Sequence, residues 1–175
     1  MINQKIIILK NDAVGDLTQS LPAIDNIIYN NLDKKIIIYL SERSEKFYFL
    51  INKNNHKNIE FKKINYYLNF FDKLNIFFYL FFYKIFHVYI LAPKNFYFYL
   101  SVFFKNIKFF GVCINGPNNY KRPNEFLRKY LFRLKINDRS KIFKRESIVK
   151  IHLDLTIQKN NKFNPFNFNI NIKHS

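Results

Sequence analysis

Compact apolar runs recur along the chain, separated by stretches whose apolar positions fall three and four residues apart. Lys5–Lys10 (KIIILK) is the first run of strand length, and Leu17–Asn31 follows with helical spacing through Leu21, Ile24, Ile27 and Ile28. Lys35–Leu40 (KIIIYL) predicts a second strand and Glu42–Lys53 is compatible with a helix. Ile59–Lys62 predicts a third strand, Tyr66–Tyr83 a helix, and Phe86–Leu91 a fourth strand. Phe96–Phe104 predicts another helix and Ile107–Val112 a fifth strand ending at Gly111. Unbroken Ile-rich runs, rather than alternation, signal strands buried on both faces. Strands that alternate with helices predict an α/β protein with a doubly wound, mostly parallel sheet.

The most apolar stretch is Leu74–Ala92, LNIFFYLFFYKIFHVYILA. Lys84 and His87 interrupt it, and its longest apolar run falls well short of the roughly 20 residues a membrane span needs. It divides more naturally into an amphipathic helix ending near Lys84 and a buried strand. No secretory signal is read at the start, because Met1–Leu9 runs straight into a strand. Gly116-Pro117-Asn118-Asn119 predicts a turn. A basic segment from Lys121 to Arg145 follows, then a helical stretch at Ser147–Gln158. The tail opens like a linker and ends with alternating Phe168, Ile170 and Ile172. These features divide the chain into a domain over 1–158 and, over 159–175, a linker with the start of a further domain.

Composition changes this picture in two ways. Phe, Ile, Asn, Lys and Tyr make up well over half of the 175 residues, and alanine occurs only three times. Those five abundant residues are spelled by codons rich in A and T, so part of the basic character reflects base composition. Lys and Arg number 29 against 12 acidic residues, a formal charge of +17. Such a charge ordinarily points to nucleic acid, an anionic membrane or an acidic substrate, and here it must be discounted. Half the residues are apolar, which excludes a disordered tail. The single cysteine, Cys113, excludes a disulfide framework and any multi-cysteine metal site. The four histidines are scattered without ligand spacing, so no metal is expected.

The stretch that carries chemistry is Ile6–Ile24, IIILKNDAVGDLTQSLPAI. A buried strand ends at Lys10, a loop spans Asn11–Gly15, and Asp16 opens a helix. In a doubly wound sheet, ligands bind in the crevice beyond the carboxyl ends of the strands, which places Lys10 and Asp16 at the functional edge. Gly15 would let the backbone turn, and the helix start offers free N–H groups. Asp16 also reads as a helix cap, with Gln19 reaching back in a capping box. Lys10 taken alone reads as a solvated strand end. Pro22 predicts a kink, or a restart capped by Ser20.

Strand, lysine, short loop, Gly15-Asp16 and Leu21-Pro22-Ala23 together resemble glycosyltransferase family 9, the ADP-heptose:lipopolysaccharide heptosyltransferases. KIIIYLSERSEKF, FHVYILAPKNF and IKFFGVCING resemble later elements of that family's amino-terminal half more weakly. The resemblance implies the Rossmann-like amino-terminal half of a GT-B architecture, with the donor-binding half missing. It implies inverting, metal-independent transfer of heptose from a nucleotide-sugar such as ADP-heptose to the lipopolysaccharide core, with no cofactor. Asp16 would then be the general base, and Lys10 and Gly15 would contact substrate. Lys62 and Lys63, following the third strand, would be weaker binding candidates. A cytoplasmic location, a peripheral contact with the inner membrane surface and a separate chain supplying the donor half are implied in turn. So is inactivity of this chain alone. Two other readings stay open. One is a basic α/β nucleic-acid-binding module, for which no recognised motif speaks; the other is a non-functional remnant that still folds.

Overall fold

The four residues Ile6–Leu9 are inaccessible to solvent, as are Ile36, Ile37, Ile38 and Tyr39. A strand buried on both faces must have neighbours on both edges and layers on both sides, and this demand organises the molecule. The structure, a computed structural model, describes residues 4–51, 56–115, 121–122 and 135–138. Its strands are β1 (Lys5–Lys10), β2 (Lys35–Ser41), β3 (Ile59–Ile64), β4 (Ile85–Ile90) and β5 (Lys108–Asn115), followed by the short β6 (Lys121–Arg122) and β7 (Lys135–Asp138). The first five lie in the order β3-β2-β1-β4-β5, all parallel. Beyond them β7 pairs parallel and β6 antiparallel with β5. The expected α/β, doubly wound, Rossmann-like sheet is therefore observed.

Among the described residues, three helices cover the sheet: α1 (Val14–Tyr29), α2 (Phe70–Phe82) and α3 (Asn95–Phe103), with a short 3-10 helix at Glu45–Leu50. Residue alternation along β1 assigns the two layers. Ile6 and Ile8 pack with Leu17, Ile24 and Ile27 of α1, whereas Ile7 and Leu9 pack with Ile76 and Leu80 of α2 and Tyr97 and Phe98 of α3. Each buried Ile or Leu contributes about 1.5–3 kcal/mol through the apolar surface removed from water. The strand order reverses between β1 and β4, so the crevice outside their carboxyl ends is the topological switch point of the sheet.

Several boundaries move. The third strand runs two residues past Lys62 to Ile64, because its pairing with β2 continues through Ser41. The helix expected across Glu42–Lys53 is only the 3-10 turn. The stretch predicted helical from Tyr66 starts its helix at Phe70, where Asn69 and Asp72 form a reciprocal capping box. Pro22 neither breaks nor restarts α1: the helix is continuous, and the Ser20 hydroxyl donates to the Asp16 carbonyl instead of capping a new turn. Leu74–Ala92 divides into α2 and β4 as expected, and among the described residues no helix is long and apolar enough to cross a membrane. The expected helix at Ser147–Gln158, most of the basic segment, the proposed boundary at 158 and the tail lie outside the described residues.

Candidate functional site

β1 ends at Lys10, and the link to α1 is only Asn11, Asp12 and Ala13. Lys10 is not a solvated strand end. It is 1% exposed, and its Nζ donates to Asp12 Oδ2 at 2.7 Å and towards the Leu91 carbonyl, just past β4, at 3.4 Å. A charge this deep is tolerable only with a partner, and Asp12 supplies one. Burial raises the Asp12 pKa, and the neighbouring Lys10 ammonium opposes that shift. The other carboxylate oxygen, Oδ1, is buried without a hydrogen-bond partner.

Asn11 is wholly buried and ties its own loop to the loop beyond β3 and to α3. Its Nδ2 donates to the Asn65 carbonyl beyond β3 at 2.9 Å, and its Oδ1 accepts from the Tyr97 hydroxyl of α3 at 2.7 Å. The Ser41 hydroxyl, at the end of β2, donates to the Asp12 carbonyl at 2.8 Å. Beyond β4, the Lys94 ammonium donates to the Tyr66 carbonyl at 2.6 Å and lies 4.7 Å from the Tyr66 ring. The Arg43 guanidinium lies 4.2 Å from that same ring. The carboxyl edge is therefore a polar, cross-braced rim carrying Lys10, Arg43 and Lys94.

The helix starts at this edge differ. α2, which follows β3 away from the switch, has the Asn69–Asp72 capping box, and Asp72 Oδ2 also accepts from the Asn65 backbone and side chain. α1 and α3, which follow β1 and β4 at the switch, have Ala13 and Lys94 at their N-cap positions and no side-chain cap. The leading N–H groups of a helix have no intrahelical acceptor and carry partial positive charge. Asn95, the first residue of α3, has its side-chain oxygen buried and unpartnered, as does Gln19 in α1.

The sequence-predicted residues fall into two groups. Lys10, Gly15 and Asp16 sit at the switch point, although Asp16 is the third residue of α1 rather than its opening one. The capping box expected there is absent, since Ala13 is the N-cap and the Gln19 oxygen is unpartnered. Gly15 lies within the first helical turn, and a Cβ built on it meets nothing within 4 Å, so no tight turn calls for it. Lys62 and Lys63 do not follow β3 but lie within it. Lys62 sits 3.7 Å from Glu60 and 3.9 Å from the Tyr79 ring, and Lys63 pairs with Glu45 at 2.8 Å. Asn11, Asp12 and Tyr97 were missed; the Asn-Asp pair immediately after an Ile-rich strand was the available signal. Among the described residues no group of three or more His, Cys, Asp or Glu side chains could hold a metal ion.

No family model matches the chain, and no curated protein matches it. Among solved structures, that of phenylacrylic acid decarboxylase from Aquifex aeolicus is similar, with 12% identity and a TM-score of 0.46 over 91% of this chain and 99% of that one. Likeness at that level does not transfer a function. These results correct the expected membership of glycosyltransferase family 9. No family model, of glycosyltransferase family 9 or of any other family, matches the chain. Heptosyl transfer to lipopolysaccharide falls with the family, and the general-base role of Asp16 loses the resemblance that implied it. The nucleic-acid-binding alternative gains no support from the comparisons.

Proposed function

We propose that this protein binds a small phosphate-bearing ligand with hydroxyl groups at the switch point between β1 and β4. The observation that carries the proposal is the pair of helix starts left without side-chain caps there, beside a buried Asp12 oxygen that lacks a donor. An anion fits the N–H groups at the starts of α1 and α3, where the helix dipoles favour negative charge. A ligand hydroxyl donating to Asp12 Oδ1 would satisfy a carboxylate oxygen that is buried without a donor. With its pKa raised by burial, Asp12 is also the group best suited to exchange a proton with that hydroxyl. On this reading the protein is an enzyme with an acid–base carboxyl at Asp12, held in place by Lys10 and, through its carbonyl, Ser41.

Thermal unfolding with AMP, ribose 5-phosphate and inorganic phosphate tests the proposal. At a hundredfold excess over Kd, a ligand specific to the native state adds about 2.7 kcal/mol to the unfolding free energy. The expected result is a rise in Tm with at least one ribose phosphate, lost in Gly15→Val, whose side chain would intrude on the α1 start. No rise with any of the three at saturating concentration would overturn the proposal, as would an equal rise in Gly15→Val.

A further inference from the structure

The α2–α3 layer carries aromatic rings on its outside as well as its inside. Phe81, Phe82 and Phe103 are 65, 72 and 71% exposed, and Phe78 is also exposed. The rings form one connected patch. Phe77 bridges α2 and α3 through Phe103 at 6.2 Å, Phe78 stacks with Phe82 at 5.9 Å, and Phe81 meets Phe82 at 5.2 Å. Folding does not explain these rings, because Ile76, Tyr79 and Leu80 already fill the inner face of α2. Other exposed rings, Tyr48, Phe49, Tyr67, Phe70 and Phe71, lie elsewhere in the chain, with ring contacts to Phe61, Phe47, Tyr66 and each other. The exposed large apolar residues of the α1 segment are only Tyr29 and Leu32.

The patch lies towards the amino edge of the sheet, opposite the candidate site, because α2 and α3 run back from the carboxyl edge. Lysines border it there. Lys84 follows α2, Lys105 follows α3 and Lys108 opens β5, all exposed. Exposed aromatic rings beside lysines match the chemistry of a bilayer interface, where rings enter the headgroup layer and ammonium groups meet anionic lipid. The exposed Lys84, Lys105 and Lys108 at this end favour an anionic surface and oppose the stacking of a second copy, which would bring two such sets of charges together.

We propose that the outer face of α2 and α3 docks peripherally on an anionic phospholipid surface, with Phe81, Phe82 and Phe103 entering the interface and Lys84 and Lys105 meeting the headgroups. The test is co-sedimentation of the full chain with phosphatidylcholine vesicles, with and without phosphatidylglycerol. The wild type is expected to bind the phosphatidylglycerol vesicles at least about tenfold more tightly than neutral ones. Phe81→Ser/Phe82→Ser and Lys84→Glu/Lys105→Glu should each reduce that binding by about tenfold or more. Phe103→Ser provides an independent aromatic variant should the double one fail to fold. Absence of binding to phosphatidylglycerol vesicles would overturn the proposal. So would binding that salt abolishes but the aromatic variants leave unchanged, which would mean charge attraction alone. A dimer seen by light scattering and lost in the aromatic variants, without vesicle binding, would assign the face to a second copy.

Discussion

The start of α2 and the starts of α1 and α3 solve the same physical problem in opposite ways. All three helices begin at the carboxyl edge of one sheet, and each exposes N–H groups that need acceptors. α2, off the switch point, answers with Asn69 and Asp72 and is closed by its own side chains. α1 and α3, flanking the switch point, have alanine and lysine where a capping residue would stand. The protein can make a cap, and the two neighbouring starts without one are where the proposed ligand's anion would be accepted. The buried Asp12 oxygen without a donor lies in the loop that leads into one of them.

The largest effect tied to this comparison is expected at Asp12. Asp12→Asn removes the counter-charge of a lysine that is 99% buried, and equilibrium denaturation should show a loss of about 3 kcal/mol. A pH experiment of similar size separates the edge from the sheet interior. His87 on β4 is 5% exposed, and burial, followed by the charges of Lys108 and Lys34, pushes its pKa down to about 4 from 6.5. The unfolded chain therefore takes up a proton as pH falls below 6.5, while the folded chain stays neutral until about 4. Stability should be intact above 6.5 and fall between 6.5 and 4, by up to about 3 kcal/mol. His87→Phe should flatten this dependence in a urea-midpoint series, leaving ligand binding at the edge untouched.

Smaller effects test the caps directly. Asn69→Ala should destabilise by about 1 kcal/mol, the usual loss when a side-chain cap is removed. Ala13 already has the extended backbone of an N-cap residue, so Ala13→Ser should stabilise the ligand-free protein by about 0.5–1 kcal/mol and weaken anion binding. Equal losses from both substitutions would erase the contrast between the helix starts. The smallest effect is expected at Gly15→Ala. Open space around the added methyl group and higher helix propensity should raise stability by roughly 0.5–1 kcal/mol by calorimetry.

Much of the fold was legible because an Ile-rich run such as KIIILK has few structural outcomes. Buried on both faces, it must lie inside a parallel sheet, and the alternating helices then set the topology. The carboxyl edge was legible as a place, since Lys10 and Gly15 do lie at the switch point. Its chemistry was harder to read. Asp-Leu-Thr-Gln imitates a capping box, so the helix start was placed at Asp16, two residues after Val14. Lys10 looked solvated because nothing in its own segment shows that the chain turns back and brings Asp12 onto its ammonium. Asn11 looked like turn punctuation, while its role depends on Tyr97 and Asn65, each more than fifty residues away. Lys62 and Lys63 were misplaced because the end of β3 is set by its partner β2 rather than by local composition. The family resemblance failed where it leaned on one short segment, since strand, loop and helix start recur in many doubly wound sheets.

The most direct test of the central claim is an amide chemical-shift map of the isotopically labelled protein titrated with ribose 5-phosphate. The account predicts saturable shifts concentrated at Val14, Gly15, Asp16, Asn95 and Phe96, with the amides at the start of α2 nearly still. Shifts confined to the lysine-bordered amino edge, or no saturable shift at all, would contradict it.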